Sequence, residues 1–462
     1  MSLDASIATN RFGLGAKPSE LKAAGKNPKA WLISQLNASP PISFNHKLPH
    51  SSEIANKLNE YRLAKKANKK KSQQNSMLGQ QSPMLAKQQQ GNNYNRKILR
   101  QLSSDTLVQS ITSDNSLNWR LLDFFSNHFS VSSSGPVMAA LAPTLEREAI
   151  APNLLGRFEQ MLIAVEKHPA MLIYLNNEKS IGPNSLIGKK SRKSNKGRGL
   201  NENLAREILE LHTLGVDGGY QQNDVQELAK TITGWSVARP GKDKESGFKF
   251  RSYGHEPGDR RLFGKSYKNT GVRQGEQMLI DIARHPSTAN YICSKLAQHF
   301  ISDNPPQSLI NKLTARWHVS QGNIKAVMVE LIQASESWHE QSQKFKTPRE
   351  YVVSTLRMLG MKKLENKYLL GSLQSLGQMP FNAGSPAGYS DQQHDWDGSS
   401  ALMAKIEWSS MVAARKKANV EKLMKYSFAD TLTDRSYRSI IRAESQSQAL
   451  TLLLLSPEFL RR

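Results

Sequence analysis

Two carboxylates one turn apart, with a guanidinium and an amide beside them, are the side chains of this sequence best placed by type and spacing to do chemistry. They lie in Leu200-Asn201-Glu202-Asn203-Leu204-Ala205-Arg206-Glu207-Ile208-Leu209-Glu210-Leu211-His212-Thr213-Leu214-Gly215. On an α-helix turning about 100° per residue, Asn203, Arg206, Glu207 and Glu210 share one face, Leu204, Ile208 and Leu211 fall on an adjoining apolar one, and His212 points elsewhere. Glu207 and Glu210 could ligate a hard divalent cation or serve as general acid and base, with Arg206 clamping an anionic group and Asn203 contacting substrate. The same spacing also suits an ordinary solvated helix face laced by i,i+4 pairs, and the residues alone leave both readings open.

Smaller constellations stand elsewhere. Phe124-Phe125-Ser126-Asn127-His128-Phe129 sets an amide and an imidazole side by side on an aromatic helix, where His128 could shuttle a proton or sit satisfied in a core. Glu146-Arg147-Glu148 could bring further charge to that region, with Arg147 contacting substrate, or could only pack as salt bridges. His255 lies between turn residues in Tyr253-Gly254-His255-Glu256-Pro257-Gly258, where it could shuttle a proton, contact substrate or be a plain surface histidine, and Tyr389 lies in a loop, Gly384 to Asp391, flexible enough to touch a ligand. His168-Pro169 and His285-Pro286 read as helix caps. The sequence holds no Walker loop, no Gly-x-Ser-x-Gly elbow, no His-Glu-x-x-His and no dinucleotide fingerprint, so nucleotide, serine-hydrolase and zincin mechanisms lack support.

The elements that must position these groups are helices. Apolar residues recur at helical spacing from Ile98 to Phe129, Gly156 to Val165, Gly275 to Phe300, Gln307 to Trp317, Ile324 to Leu331, Pro348 to Leu359 and Ala401 to Met424. Gly215 suits a left-handed helix stop, and Asn223 with Gln226 forms a candidate capping box for a helix ending near Gly234-Trp235. Weak alternation around Phe248, Phe250, Leu262 and Phe263 predicts a small β-hairpin. The expected fold is mainly α: a multi-helix globular body with that hairpin and two disordered basic insertions. The segments are an N-terminal helical part, 1–61, a basic Gln- and Lys-rich linker, 62–97, and the main body, 98–462, with a basic loop at 185–199.

The 462 residues carry a formal net charge of +24. Nine Lys and Arg residues and no acid lie between Arg62 and Lys97, and six more between Lys189 and Arg198, again without an acid. Both stretches lack apolar periodicity and are expected to be mobile; they could hold polyanions weakly and without base-reading specificity. The apolar run Ala449 to Leu455 is far shorter than the roughly 20 residues of a membrane span. The N-terminus shows no basic and apolar signal pattern, so the sequence as written is expected to be cytoplasmic, or exported if translation starts upstream. The single cysteine, Cys293, reads as a small buried thiol.

Several of these stretches resemble one bacterial family, that of domain of unknown function 1800. The resemblance rests on Asn10-Arg11-Phe12-Gly13-Leu14-Gly15-Ala16, Phe125 through Phe129, Glu146-Arg147-Glu148, Gly199 through Glu207, Leu211 through Tyr220, Thr233-Gly234-Trp235 and Ser456-Pro457-Glu458-Phe459. It implies a mostly helical bacterial protein, often exported, and a partner encoded nearby that resembles alkaline-phosphatase-like enzymes. Ser385-Pro386-Ala387-Gly388-Tyr389-Ser390 departs from the Thr-Pro-Asp-Gly-Tyr-Pro expected of relatives. The functional expectation is an enzyme of hydrolytic or group-transfer type, its site assembled from the 201–212 helix, Asn127-His128 and Glu146-Arg147. The alternative is a non-catalytic assembly or partner-binding protein.

Overall fold

A computed structural model describes residues 2–76, 84–193, 199–244, 246–362, 364–428 and 431–462, with the side chains of 68–92 and 193 outside the description. Helices dominate. Many begin where the sequence supplies both a cap and a proline: Asn27 accepts from the Ala30 N–H ahead of Pro28, and Thr347 and Glu350 form a reciprocal capping box around Pro348. His168 and His285 each cap the helix that starts at the following proline, as expected.

The periodic runs become helices Ser116–His128, Phe158–Glu166, Val272–Ala283, Pro286–Phe300, Gln307–Ser320, Ile324–Gln333, Pro348–Met358 and Ser399–Arg415. One hydrophobic cluster runs through them from Ala5 to Phe459. The N-terminal segment shares it, since Phe12 packs against Phe300 and Trp338. Helix Ser51–Ser76 and helix Met84–Thr112 enter the basic stretch from either side, and helix Leu186–Lys193 enters the second. The mobility expected of the two insertions falls mainly on residues 68–92 and 194–198, where side chains or backbone lie outside the described residues.

Two details differ from expectation. Phe248–Phe250 pairs antiparallel with Trp235–Val237, and Arg260–Leu262 with Lys265–Tyr267, giving two small ribbons in place of one hairpin. Gly234, at a φ of +79°, turns the chain out of the preceding helix early enough for Trp235 to start a strand. The capping box of helix Gln222–Thr231 is formed by Gln221 with Asp224, two residues before the expected pair.

The third departure concerns the segment around residue 207. Helix Asn203–Glu207 passes directly into a π-helical turn, Ile208–Thr213, in which the Leu214 N–H reaches back to the Leu209 carbonyl. Two further π segments occur, Ala8–Phe12 and Glu146–Ile150. A π turn accommodates one extra residue, so every side chain after it is rotated from the position an α-helical wheel assigns. Leu209 and His212 are therefore buried, and Leu211, expected on the apolar face, is only partly so.

Candidate functional site

A polar cleft of about 310 Å³ lies between helices Ser116–His128, Pro286–Phe300 and Pro348–Met358, under the loop from Met379 to Gln392. Its wall includes Asn127, His128, Glu146, Lys295, His299 and Asp391. The loop is fastened by an amide clamp. Asn127 Nδ2 donates to the Tyr389 carbonyl, and the Tyr389 N–H donates to Asn127 Oδ1, both at 2.8 Å. Gly388, at a φ of +84°, makes that approach possible, because a Cβ there would stand 2.5 Å from the Asn127 carbonyl oxygen.

His128 Nε2 lies 3.0 Å from the carbonyl oxygen of His212, which can only accept, so Nε2 carries the proton. Nδ1 is thereby left as an acceptor, and Lys295 Nζ donates to it at 3.2 Å. Burial holds the His128 imidazole well below its ordinary value, and the nearby Lys295 cation adds to this. Burial also brings the Lys295 ammonium down to about 8, with Asp391 partly offsetting the shift. A largely buried amine that titrates near neutrality faces the cleft beside a neutral imidazole.

One helical turn along, His299 Nδ1 donates to Asp391 Oδ2 at 3.1 Å. Its Nε2, which in the neutral ring bears the lone pair, has no hydrogen-bond partner among the described residues. Burial lowers the His299 value despite the carboxylate, so the ring is neutral near pH 7. Burial would raise Asp391, but His299, Lys344 and Arg462 outweigh it and keep the carboxylate ionised. Across the cleft, burial raises Glu146, which accepts from Thr106 Oγ1 and stands 3.4 Å from Ser126 Oγ.

Behind this wall runs a buried ion network. Glu350 Oε1 meets Arg120 Nη1 at 2.5 Å and Arg462 Nη2 at 2.7 Å, and Arg349 pairs with Asp123 at 2.5 Å. Burial disfavours the Glu350 carboxylate, but Arg462 and Arg120 hold it well below the ordinary range.

The structure brings together only part of the set expected from sequence. His128, Tyr389, Asn127 and Glu146 line the cleft. Arg147 turns away to Asp105 at 2.8 Å and lies over the Phe44 ring, while Glu148 accepts from Ser51. His255 donates to the Thr233 carbonyl in a separate cluster beside Glu256. Asn203 is exposed, Arg206 bonds Gln222 and pairs with Glu202, and neither Glu207 nor Glu210 lines the cleft. The 201–215 segment reaches the site through His212 instead, whose carbonyl orients His128 while its ring donates to the fully buried Glu166 at 2.8 Å.

Lys295, His299 and Asp391 are the groups that sequence reasoning passed over. The signal was a Lys and a His at i,i+4 on helix Pro286–Phe300, next to the buried Ile292, Leu296 and Phe300, which places two polar side chains beside its apolar face. Among the described residues no group of three or more His, Cys, Asp or Glu could hold a metal ion, so the two acids considered as cation ligands gain no third partner. Cys293 is buried, as expected, with its thiol pushed up to about 12 by that burial. No helix among the described residues is long and apolar enough to cross a membrane.

No curated protein and no solved structure matches the chain. The family model described as "Protein of unknown function (DUF1800)" matches residues 7–461, essentially the whole length, and the chain belongs to that family.

Proposed function

We propose that the cleft is the active centre of an enzyme of hydrolytic or group-transfer type acting on a small polar substrate with a negatively charged or carbonyl oxygen. The observation that carries this reading is Lys295: an amine brought to about 8, hydrogen-bonded to a neutral imidazole and open to a polar hollow. Burial also lowers Lys346 to about 7 and Lys405 to about 8, but neither lines the cleft; what sets Lys295 apart is that its amine meets both an imidazole and the hollow, where a proton donor tuned close to the working pH is effective in catalysis.

The roles follow from the hydrogen bonds. His299, oriented by Asp391, carries the lone pair that accepts a proton from the attacking water or hydroxyl; its Nε2 is unpartnered among the described residues and buried, so this role requires the loop over the cleft to open and admit the nucleophile. Protonated Lys295 holds the substrate oxygen and returns a proton to the leaving group, and His128, locked as the Nε2–H tautomer, keeps the amine in place. Glu146, its carboxyl raised by burial, supplies a second acid, and Tyr389 closes the cleft over the substrate.

The test is a panel of chromogenic carboxylic and phosphoric esters, together with rescue of a deletion strain. Turnover and rescue should be lost in Lys295→Met and His299→Gln while abundance and melting temperature stay close to the parent. Equal rescue by parent and Lys295→Met at equal abundance would sink the catalytic reading and leave the partner-binding alternative.

A further inference from the structure

A second cleft, of about 520 Å³, opens on the opposite side of the buried ion network and plays no part in the reaction proposed above. Arg11 and Arg462 line it, and they are only 2% and 1% exposed. Arg11 Nη1 and Nη2 donate to the carbonyls of Ser337, His339 and Gln341, yet Nε bonds nothing among the described residues. Arg462 Nη1 donates to the Phe300 carbonyl at 3.5 Å and Nη2 forms an ion pair with Glu350 Oε1 at 2.7 Å without the alignment of a hydrogen bond, while Nε is unpartnered among the described residues.

Glu350 cannot relieve this, since Oε1 is shared with Arg120 and Oε2 accepts from the Thr347 N–H. Arg11 therefore has no described carboxylate partner. Burial and the neighbouring Arg462 charge together push its guanidinium down to about 10, an unusual position for a group that stays charged in nearly every protein. Arg11, buried beside the Arg462 charge and without a carboxylate partner among the described residues, is left uncompensated, while Arg462 is paired with Glu350; an anion seated between the two guanidiniums would supply the missing charge and take up the unused N–H donors.

We propose that Arg11 and Arg462 form the floor of an oxyanion-binding site for a phosphate group, free or as the head of a phosphomonoester. A tetrahedral dianion offers more acceptor oxygens and more charge to a pair of guanidiniums than a single planar carboxylate does. The cleft exceeds the size of one ion, and Leu3, Ile7, Phe428 and Pro457 on its wall give an ester body an apolar place to lie.

The experiment follows thermal unfolding and calorimetric titration of the full chain with inorganic phosphate and with phenyl phosphate, against sodium chloride at matched ionic strength. Phosphate should raise the melting temperature saturably where chloride does not. Tighter phenyl phosphate binding marks an ester ligand, and equal or weaker binding marks the free ion. Ser342→Trp, at an exposed lining position, should weaken phosphate affinity by about ten-fold or more without lowering the melting temperature of the unliganded protein. Arg11→Gln should abolish the response; if it does not fold, the Ser342→Trp result decides. The proposal is overturned if chloride matches phosphate, or if binding survives Ser342→Trp and vanishes in Lys295→Met, which would seat the anion in the first cleft.

Discussion

The segment 203–213 and the wall built by Lys295, His299 and Asp391 carry similar side chains in opposite circumstances. On the former, Arg206 is paired with Glu202 on a largely solvated surface, and Glu207 is half-buried with its carboxyl raised by partial burial. In the latter, low exposure and convergent partners move an amine to about 8 and keep two imidazoles neutral. Residue type alone does not make a site. What separates the two regions is how completely water has been replaced by a few fixed dipoles and charges.

The sharpest way to break this contrast is to remove a charge from each region. Arg120→Leu leaves Glu350 buried with one guanidinium in place of two, and should lower stability in urea denaturation by about 3–5 kcal/mol. Glu202→Gln, which breaks the Arg206 surface pair, should change stability by less than about 1 kcal/mol. Equal losses would mean that the buried network is no more strongly coupled than a surface pair.

Acidity distinguishes the regions by sign. Glu350 and Asp391 have native values held below those of the unfolded chain, so their contribution is complete above the ordinary carboxylate range, around 4, and is lost as the pH falls. Glu207 is raised, so its share is present at low pH and disappears as the pH rises through its native value. Glu350→Gln should therefore flatten the acid limb of a melting-temperature profile, and Glu207→Gln should leave it intact. If the proposed reaction holds, the Lys295 ammonium should give a turnover limb that falls as pH rises through about 8, and a profile without that limb would remove Lys295 from the proposal.

A moderate effect is expected at the loop clamp. Gly388→Ala places a methyl group against Asn127 at a left-handed backbone position, and should cost about 1–3 kcal/mol or free the loop, raising KM more than it lowers kcat. The smallest effect belongs to Glu207→Gln: a change within about 0.5 kcal/mol in stability and unaltered turnover. Strong loss of turnover in that variant with normal folding would return the reaction to the 203–213 segment.

Most helices were legible from apolar spacing, because a regular α-helix repeats its buried face and the caps Asn27, His168, His285 and Thr347 announce its starts. The left-handed stop at Gly215 was legible for the same local reason, since only glycine takes that φ without strain. The π turns were not. Whether a helix admits an extra residue depends on what its next turn packs against, and at Ile208–Thr213 that choice sends His212 inward to Glu166.

Sequence by itself thus determined the class of fold, many of the places where helices start and stop, and the family motif that holds His128, all of them properties of neighbouring residues. Only the tertiary structure decided that Lys295, His299 and Asp391 meet across 96 residues of chain, because a pKa shift belongs to an enclosure and not to a spacing. The same holds for Arg11 and Arg462, at opposite ends of the sequence and pressed into one electrostatic problem by the packing of the core.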